Sequence, residues 1–166
     1  MPERVYIAGG AGAGKTRLGR ELARRLGVPH CDWDRAQLPD VVAGGRWVVE
    51  GAHLWAIEPF LRAAEVIVWL DAPITRTVPR IILRHARLSA CGANPHPGLW
   101  KLARFVARQP VYYCARARPP RGPTDWDALT RAQTARTLEP HAARVVRLRR
   151  PPQVRAWLEA LDSAHA

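Results

Sequence analysis

Residues 9–16 read Gly9-Gly10-Ala11-Gly12-Ala13-Gly14-Lys15-Thr16 and satisfy the pattern G-x-x-x-x-G-K-[ST]. Glycines at such positions let the backbone wrap so that successive N–H groups face one anion, and the following helix adds the positive end of its dipole. Lys15 would reach the β- and γ-phosphates of a nucleotide, and the Thr16 hydroxyl would ligate Mg²⁺. The alternative is a glycine-rich turn that matches by accident, which this composition produces about once in two thousand chains of this length. The flanks decide between the two. Residues 4–8 (RVYIA) form a short apolar run, and Leu18, Leu22 and Leu26 recur at i, i+4, i+8 with arginines between them until Gly27, the spacing of a helix face closed by glycine. A phosphate loop between a strand and a helix is expected, with Gly10, Ala11, Gly12, Ala13, Gly14, Lys15 and Thr16 holding ATP and Mg²⁺.

Outward from the loop, strands are expected at 28–31, 46–50 (RWVVE), 65–70 (EVIVWL) and 144–148. Helices are expected near 54–63, over 74–89, near 126–138 and over 152–161. Pro151-Pro152 suits a first helical turn. Strands alternating with helices imply an α/β, three-layer P-loop NTPase fold: a parallel sheet of about five strands flanked by helices, with ligands at the strands' carboxyl ends. The 166 residues fit one domain, 1–166. Between 90 and 123 proline, glycine, histidine and arginine accumulate around one amphipathic stretch, 99–109, and this segment is expected to be a lid.

Four carboxylates stand at or just past predicted strand ends: Asp32, Asp34, Glu50 and Asp71. Phosphoryl transfer needs acids to hold Mg²⁺ or its water and to orient an acceptor hydroxyl. Asp34 and Glu50 are the candidates for chemistry, and Asp32 is divided between the metal shell and a turn. Asp71 reads mainly as a turn residue, and a helix cap is the alternative for Asp34. Because Asp32 and Asp34 leave an extended chain on the same side, Asp34 is assigned to the hydroxyl and Asp32 to the metal, with Glu50 able to replace either.

The chain has 26 basic and 14 acidic residues, a net charge of +12, and only two of the basic residues, Lys15 and Lys101, are lysines. Arginine enrichment of this kind follows a GC-rich coding bias, yet guanidinium groups also bind phosphate well. An anionic ligand is implied. No apolar run reaches membrane-spanning length. Met1-Pro2-Glu3-Arg4 enters a strand at once, and Cys31, Cys91 and Cys114 form no CxxC pair, so a cytoplasmic setting without signal peptide or disulfides is expected.

The order GGAGAGKT, CDWD, WVVEG, VIVWLDAP and a basic helix resembles the adenylate kinase/shikimate kinase group of P-loop kinases. WVVEGAH with VIVWLDAP is similar to adenylate-kinase-related proteins labelled DNA topology modulation proteins. The resemblance covers the chain to about residue 88 and returns at 144–161. It implies that Glu50-Gly51 lies near Mg²⁺ or the acceptor, that Asp32 and Asp34 serve metal and hydroxyl, and that Arg149 and Pro151, within 149–154, border the adenine. Two departures stand out: only residues 35–45 separate Asp34 from the next strand, and His53 stands where adenylate kinases place an arginine. An ordinary adenylate kinase is not expected.

Arg80, Arg84 and Arg87 share one face of the basic helix. In related kinases such arginines clamp the transferring phosphates; Arg84 and Arg87 are favoured for this, Arg80 less. Cys91, His96 and Cys114 match no compact zinc spacing. Trp33 and Trp55 lie near the expected acceptor side, where core packing outweighs ring stacking. The leading expectation is a kinase acting on a small molecule or a nucleoside-type acceptor. The alternative is an ATP-binding, nucleic-acid-associated regulator with weak, sequence-independent DNA binding, since no element built to read base edges is present.

Overall fold

Strand β1 (Arg4–Gly9) lies at the centre of a five-stranded parallel sheet of order β2-β3-β1-β4-β5, where β2 is His30–Asp32, β3 Trp47–Gly51, β4 Val66–Leu70 and β5 Val145–Leu148. The structure is a computed structural model describing residues 1–33, 44–51, 57–122 and 125–163. Asp34, His53 and Trp55 lie outside the described residues. The expected parallel α/β architecture of about five strands is the one found.

Alternation along the strands builds two cores. Val5, Ile7, Val48, Val68, Leu70 and Leu148 face one side, where helix α1 (Lys15–Leu26) presents Leu18, Leu22 and Leu26 and the C-terminal helix α7 (Pro151–Ser163) presents Leu158. Tyr6, Ala8, Trp47, Val49, Ile67 and Trp69 face the other side, covered by α2 (Glu58–Ala63) through Phe60 and Leu61 and by α6 (Arg131–Leu138) through Leu138. A strand buried on both faces reads as a continuous apolar run, and each buried leucine contributes about 1.5–3 kcal/mol. Gly27 ends α1 with φ 63°, a left-handed turn that glycine adopts without steric cost.

Two expected elements divide. The stretch near 126–138 is a 3₁₀ turn at Trp126–Ala128 followed by α6, because Thr130 accepts the Gln133 N–H (3.0 Å) and starts a new helix. The amphipathic stretch 99–109 is α4 (Leu99–Ala107), and beyond Arg108 a further helix, α5 (Gln109–Cys114), begins with Pro110 in its first turn, where a missing N–H costs nothing. Helix α3 runs Ile74–Ala90. The second strand starts at His30 rather than at 28, since the Val28 N–H still bonds Ala23 O (3.1 Å) at the helix end. No helix among the described residues is long and apolar enough to cross a membrane.

Asp71, just past β4, is buried (4% exposed) and is the hub of the β4–β5 end. It receives Arg131 Nε and Nη2 (2.6 and 2.8 Å), Arg147 Nη2 (2.7 Å) and Arg149 Nε (3.0 Å). Arg147 also lies 4.2 Å over the Trp69 ring. Burial by itself would raise the Asp71 pKa, but the three guanidinium groups outweigh it and hold the carboxyl below its ordinary value. The structural reading of Asp71 is the one its contacts support. A depressed folded-state pKa stabilises the fold above the unfolded pKa, and the effect is lost as pH falls through the folded value. Asp71→Asn is therefore expected to cost about 2 kcal/mol at neutral pH, below the roughly 3–5 kcal/mol of a fully buried pair because the arginines are partly solvated. Urea melts should show the gap between parent and variant shrinking below about pH 4; a gap that widens there would contradict the assignment.

Candidate active site

The phosphate loop turns between Gly9 and α1, closed by the Ala13 N–H on Gly10 O (3.3 Å). Its two non-motif glycines have packing reasons. A Cβ on Gly10 would stand 2.8 Å from Tyr112 Cζ, and one on Gly12, whose φ is +73°, would stand 2.7 Å from Thr77 O. The loop is thus pressed between α3 and α5 with no room for a side chain at Gly10 or Gly12. Lys15 Nζ donates to Gly9 O (2.9 Å) and Gly10 O (3.3 Å), so the ammonium lies across the loop. The first N–H groups of α1 have no intrahelical acceptor and open toward the same space. An anion fits this cradle by charge and by donor supply.

Glu50 is the second element of the site. It occupies the face of β3 shared with Val48, the face α1 covers, and is 1% exposed. Its Oε2 accepts the Thr16 hydroxyl (3.2 Å), and its Oε1 lies 2.9 Å from His30 Nε2. Asp32 is its register partner on β2. Burial pushes the Glu50 carboxyl above its usual range and the Asp32 charge adds to this, while the Thr16 hydroxyl, Lys15 and His30 oppose. With its proton directed at Glu50, the Thr16 oxygen presents lone pairs to a hard cation. Among the described residues no group of three or more His, Cys, Asp or Glu could hold a metal by itself. Mg²⁺ in such sites takes one or two protein oxygens and completes its shell with phosphate and water, a demand that the Thr16 hydroxyl oxygen fits.

On the opposite side of the loop a cleft of about 830 Å³ runs between α1, α3 and α7. Ala13 and Gly14 form its inner end, and Arg84, Arg87, Arg149 and Pro151 line it over leucines 18, 70 and 148. The structure therefore brings together two groups of expected residues: Lys15, Thr16, Asp32 and Glu50 at the sheet end, and Arg84, Arg87, Arg149 and Pro151 in the cleft. Of the helix arginines it is Arg80, given the least weight from sequence, that reaches the loop itself, donating to Ala13 O (3.3 Å). Helix periodicity places all three on one face without saying which meets the loop.

Sequence reasoning missed the role of the 109–114 helix. Tyr113 Oη donates to Ala72 O (2.8 Å) and shares a 2.9 Å hydrogen bond with Thr77 Oγ1, and the Tyr112 ring covers Gly10. Burial pushes the Tyr112 hydroxyl up to about 12. No periodic signal announces these tyrosines. The preceding α4 buries no residue and leaves Leu99 and Trp100 exposed. His30, which faces Glu50, and Arg131, which clasps Asp71, were likewise without a motif. Trp33 packs edge-on to Phe60 (5.2 Å between centroids) and against Gly51, a core role. Cys91 and Cys114 are exposed free thiols.

No protein-family model matches the chain, and no curated protein matches it. Among solved structures it is similar to a deoxyadenosine kinase from M. mycoides with bound dATP, at 9% identity and TM-score 0.48, over 96% of this chain and 99% of that one. It is also similar to a gluconokinase from Sinorhizobium meliloti 1021, at 15% identity and TM-score 0.43, over 99% of this chain and 98% of that one.

A carboxyl with a raised folded-state pKa favours the fold at low pH and loses that contribution as pH rises through the folded value. Ligand-free Glu50→Gln is accordingly expected to melt at the same or a higher temperature than the parent, the difference growing from pH 5 to pH 8. Thermal unfolding across that range measures it. A variant that becomes relatively less stable toward pH 8 would show that the fold prefers the Glu50 anion.

Proposed function

We propose that the chain is an ATP-dependent phosphotransferase, moving the γ-phosphoryl group of Mg–ATP to a hydroxyl of a small-molecule or nucleoside-type acceptor. The observation that carries this reading is the Thr16–Glu50 hydrogen bond, which joins the end of the phosphate loop to a buried carboxyl at the sheet's carboxyl edge. A loop that only bound an anion would not need that acid.

In this reading the loop N–H groups and Lys15 hold the β- and γ-phosphates, Lys15 exchanging its bonds to Gly9 O and Gly10 O for phosphate oxygens. Mg²⁺, when bound, would neutralise charge on those phosphates. Thr16 and Asp32 hold it, and what supports a metal-side role for Glu50 as well is its contact with the Thr16 hydroxyl. Asp34 is assigned to orient and deprotonate the acceptor hydroxyl, with Glu50 the substitute. Arg84 and Arg87, with Arg80, oppose the charge that spreads over the transferring group. Arg149 and Pro151 border the base. Part of 90–123 serves as the lid: α4, with no buried residue, has little to lose by moving, whereas Tyr112 and Tyr113 act as its anchor. The exposed thiols of Cys91 and Cys114 agree with a reducing, cytoplasmic setting. The competing reading, an ATP-switched nucleic-acid-associated protein of the DNA topology modulation type, draws on the net charge and predicts salt-sensitive DNA binding without phosphoryl transfer.

Lys15→Ala is expected to lower phosphoryl transfer about 10²–10³-fold while leaving the fold intact, the usual cost of one preorganised charge contact. ATP consumption against a panel of nucleosides and hydroxylated metabolites measures it, and equal turnover by the variant and the parent sinks the reading. The two acids separate by substitution. Asp34→Asn should keep Mg–ATP binding and lose transfer, since the amide retains shape without basicity. Parental transfer by Asp34→Asn alongside a dead Glu50→Gln would move the base to Glu50.

A further inference from the structure

The cleft beside the loop holds more positive charge than an ordinary donor nucleotide requires. Nine of its 21 described lining residues are arginines, against 24 in the 166-residue chain, and Glu21 is the one acid among them. Composition accounts for an arginine-rich surface but not for this threefold local enrichment. Three of the nine are already engaged: Arg25 with Glu21 and Asp162, Arg149 with Asp71, and Arg80 with loop carbonyls. The side chains of Arg17, Arg76, Arg84, Arg87, Arg150 and Arg155 line the cleft with no carboxylate or hydrogen-bond partner among the described residues. Guanidinium groups crowded around one concavity repel each other and focus a positive potential into it. Mg–ATP brings a net charge of about −2, which in the reading above Lys15, Arg80, Arg84, Arg87 and the loop amides address, leaving Arg17, Arg76, Arg150 and Arg155 without a counter-charge.

The walls narrow the ligand further. Beneath the arginines lie Leu18, Leu148, Val154 and Leu158, an apolar floor suited to a base and wasted on a bare phosphate chain. Among the described residues no aromatic side chain lines the cleft, whereas grooves for single-stranded nucleic acid use aromatic platforms for successive bases. We infer that this cleft takes a nucleotide carrying phosphate beyond its 5′-triphosphate, on the ribose, whose base lies on the leucine floor and whose additional phosphate meets the unpartnered arginines. The inference rests on the nucleotide reading of the phosphate loop proposed above, and it names the donor or regulatory ligand of that same site.

Calorimetry on the intact chain at physiological salt tests it with four probes: Mg–ATP, Mg–ATP bearing a 3′-phosphate, inorganic polyphosphate, and an oligonucleotide of matched charge. The 3′-phosphorylated nucleotide should bind about tenfold tighter than Mg–ATP, as expected of two or three partly exposed charge-assisted contacts. The Arg17→Gln/Arg155→Gln double variant should lose that margin and still bind Mg–ATP. Equal affinity for the two nucleotides overturns the inference and leaves the kinase reading standing. Polyphosphate binding as tightly as the phosphorylated nucleotide, or the oligonucleotide binding tighter, overturns it in favour of those ligands. Mg–ATP failing to bind at all would instead remove the phosphate-loop reading on which it rests.

Discussion

The parallel pairing of β1 between β3 and β4 is the constraint from which the site follows. Val5 and Ile7 face α1, and the register that sets Ile7 opposite Glu50 puts Glu50 on that same face. The three leucines of α1 dock the helix there, and its first turn then lies over the sheet's carboxyl edge with Thr16 above Glu50. A slip of β3 by one residue would turn Glu50 into the opposite core and bring Val49 under Thr16. Hydrophobic register thus specifies a polar contact: moving Glu50 means moving Trp47 and Val49 out of the apolar cluster that holds them.

Two carboxyl groups at the ends of the strands that flank β1 show what that edge can do with the same chemistry. Asp71 and Glu50 are both nearly inaccessible to solvent. Asp71 meets three guanidinium groups drawn from α6, β5 and the turn after β5, and is held as an anion. Glu50 meets a hydroxyl and an imidazole with another acid beside it, and burial raises its pKa. Pairs of acids whose surroundings drive their pKa values apart divide into a structural anion and a proton-handling group. Asp71 ties together the β4–β5 end of the sheet as an anion, whereas burial works against the charged form of Glu50.

What could be read from the sequence and what could not differ by the range of the interaction. The strands were legible because a parallel strand covered on both sides is an unbroken apolar run, as in VIVWL. The loop was legible because its glycines, lysine and threonine are consecutive. Tyr112 over Gly10 joins positions about a hundred residues apart, Arg131 on Asp71 positions 60 apart, and nothing periodic marks either member of either pair. The division of the helix expected near 126–138 turned on one side-chain cap, Thr130, where local hydrogen bonding outweighed helical propensity. Arg80 and Arg84 were indistinguishable on a helical wheel, since only the position of the loop separates them.

The same logic applies to the net charge. With 14 carboxylates and 24 arginines, at least ten arginines cannot have an acid of their own. Where they go is a question of placement, not of composition. Arg4, Arg62 and Arg118 meet Glu65, Glu58 and Asp125. Arg131, Arg147 and Arg149 converge on one aspartate, so that even a buried anion is over-matched. A coding bias toward arginine would scatter the unmatched remainder around the surface. Repulsion between neighbouring guanidinium groups would reinforce that scatter. Their collection along the groove between α1, α3 and α7 opposes both tendencies, and that opposition is the ground for the anionic ligand inferred above.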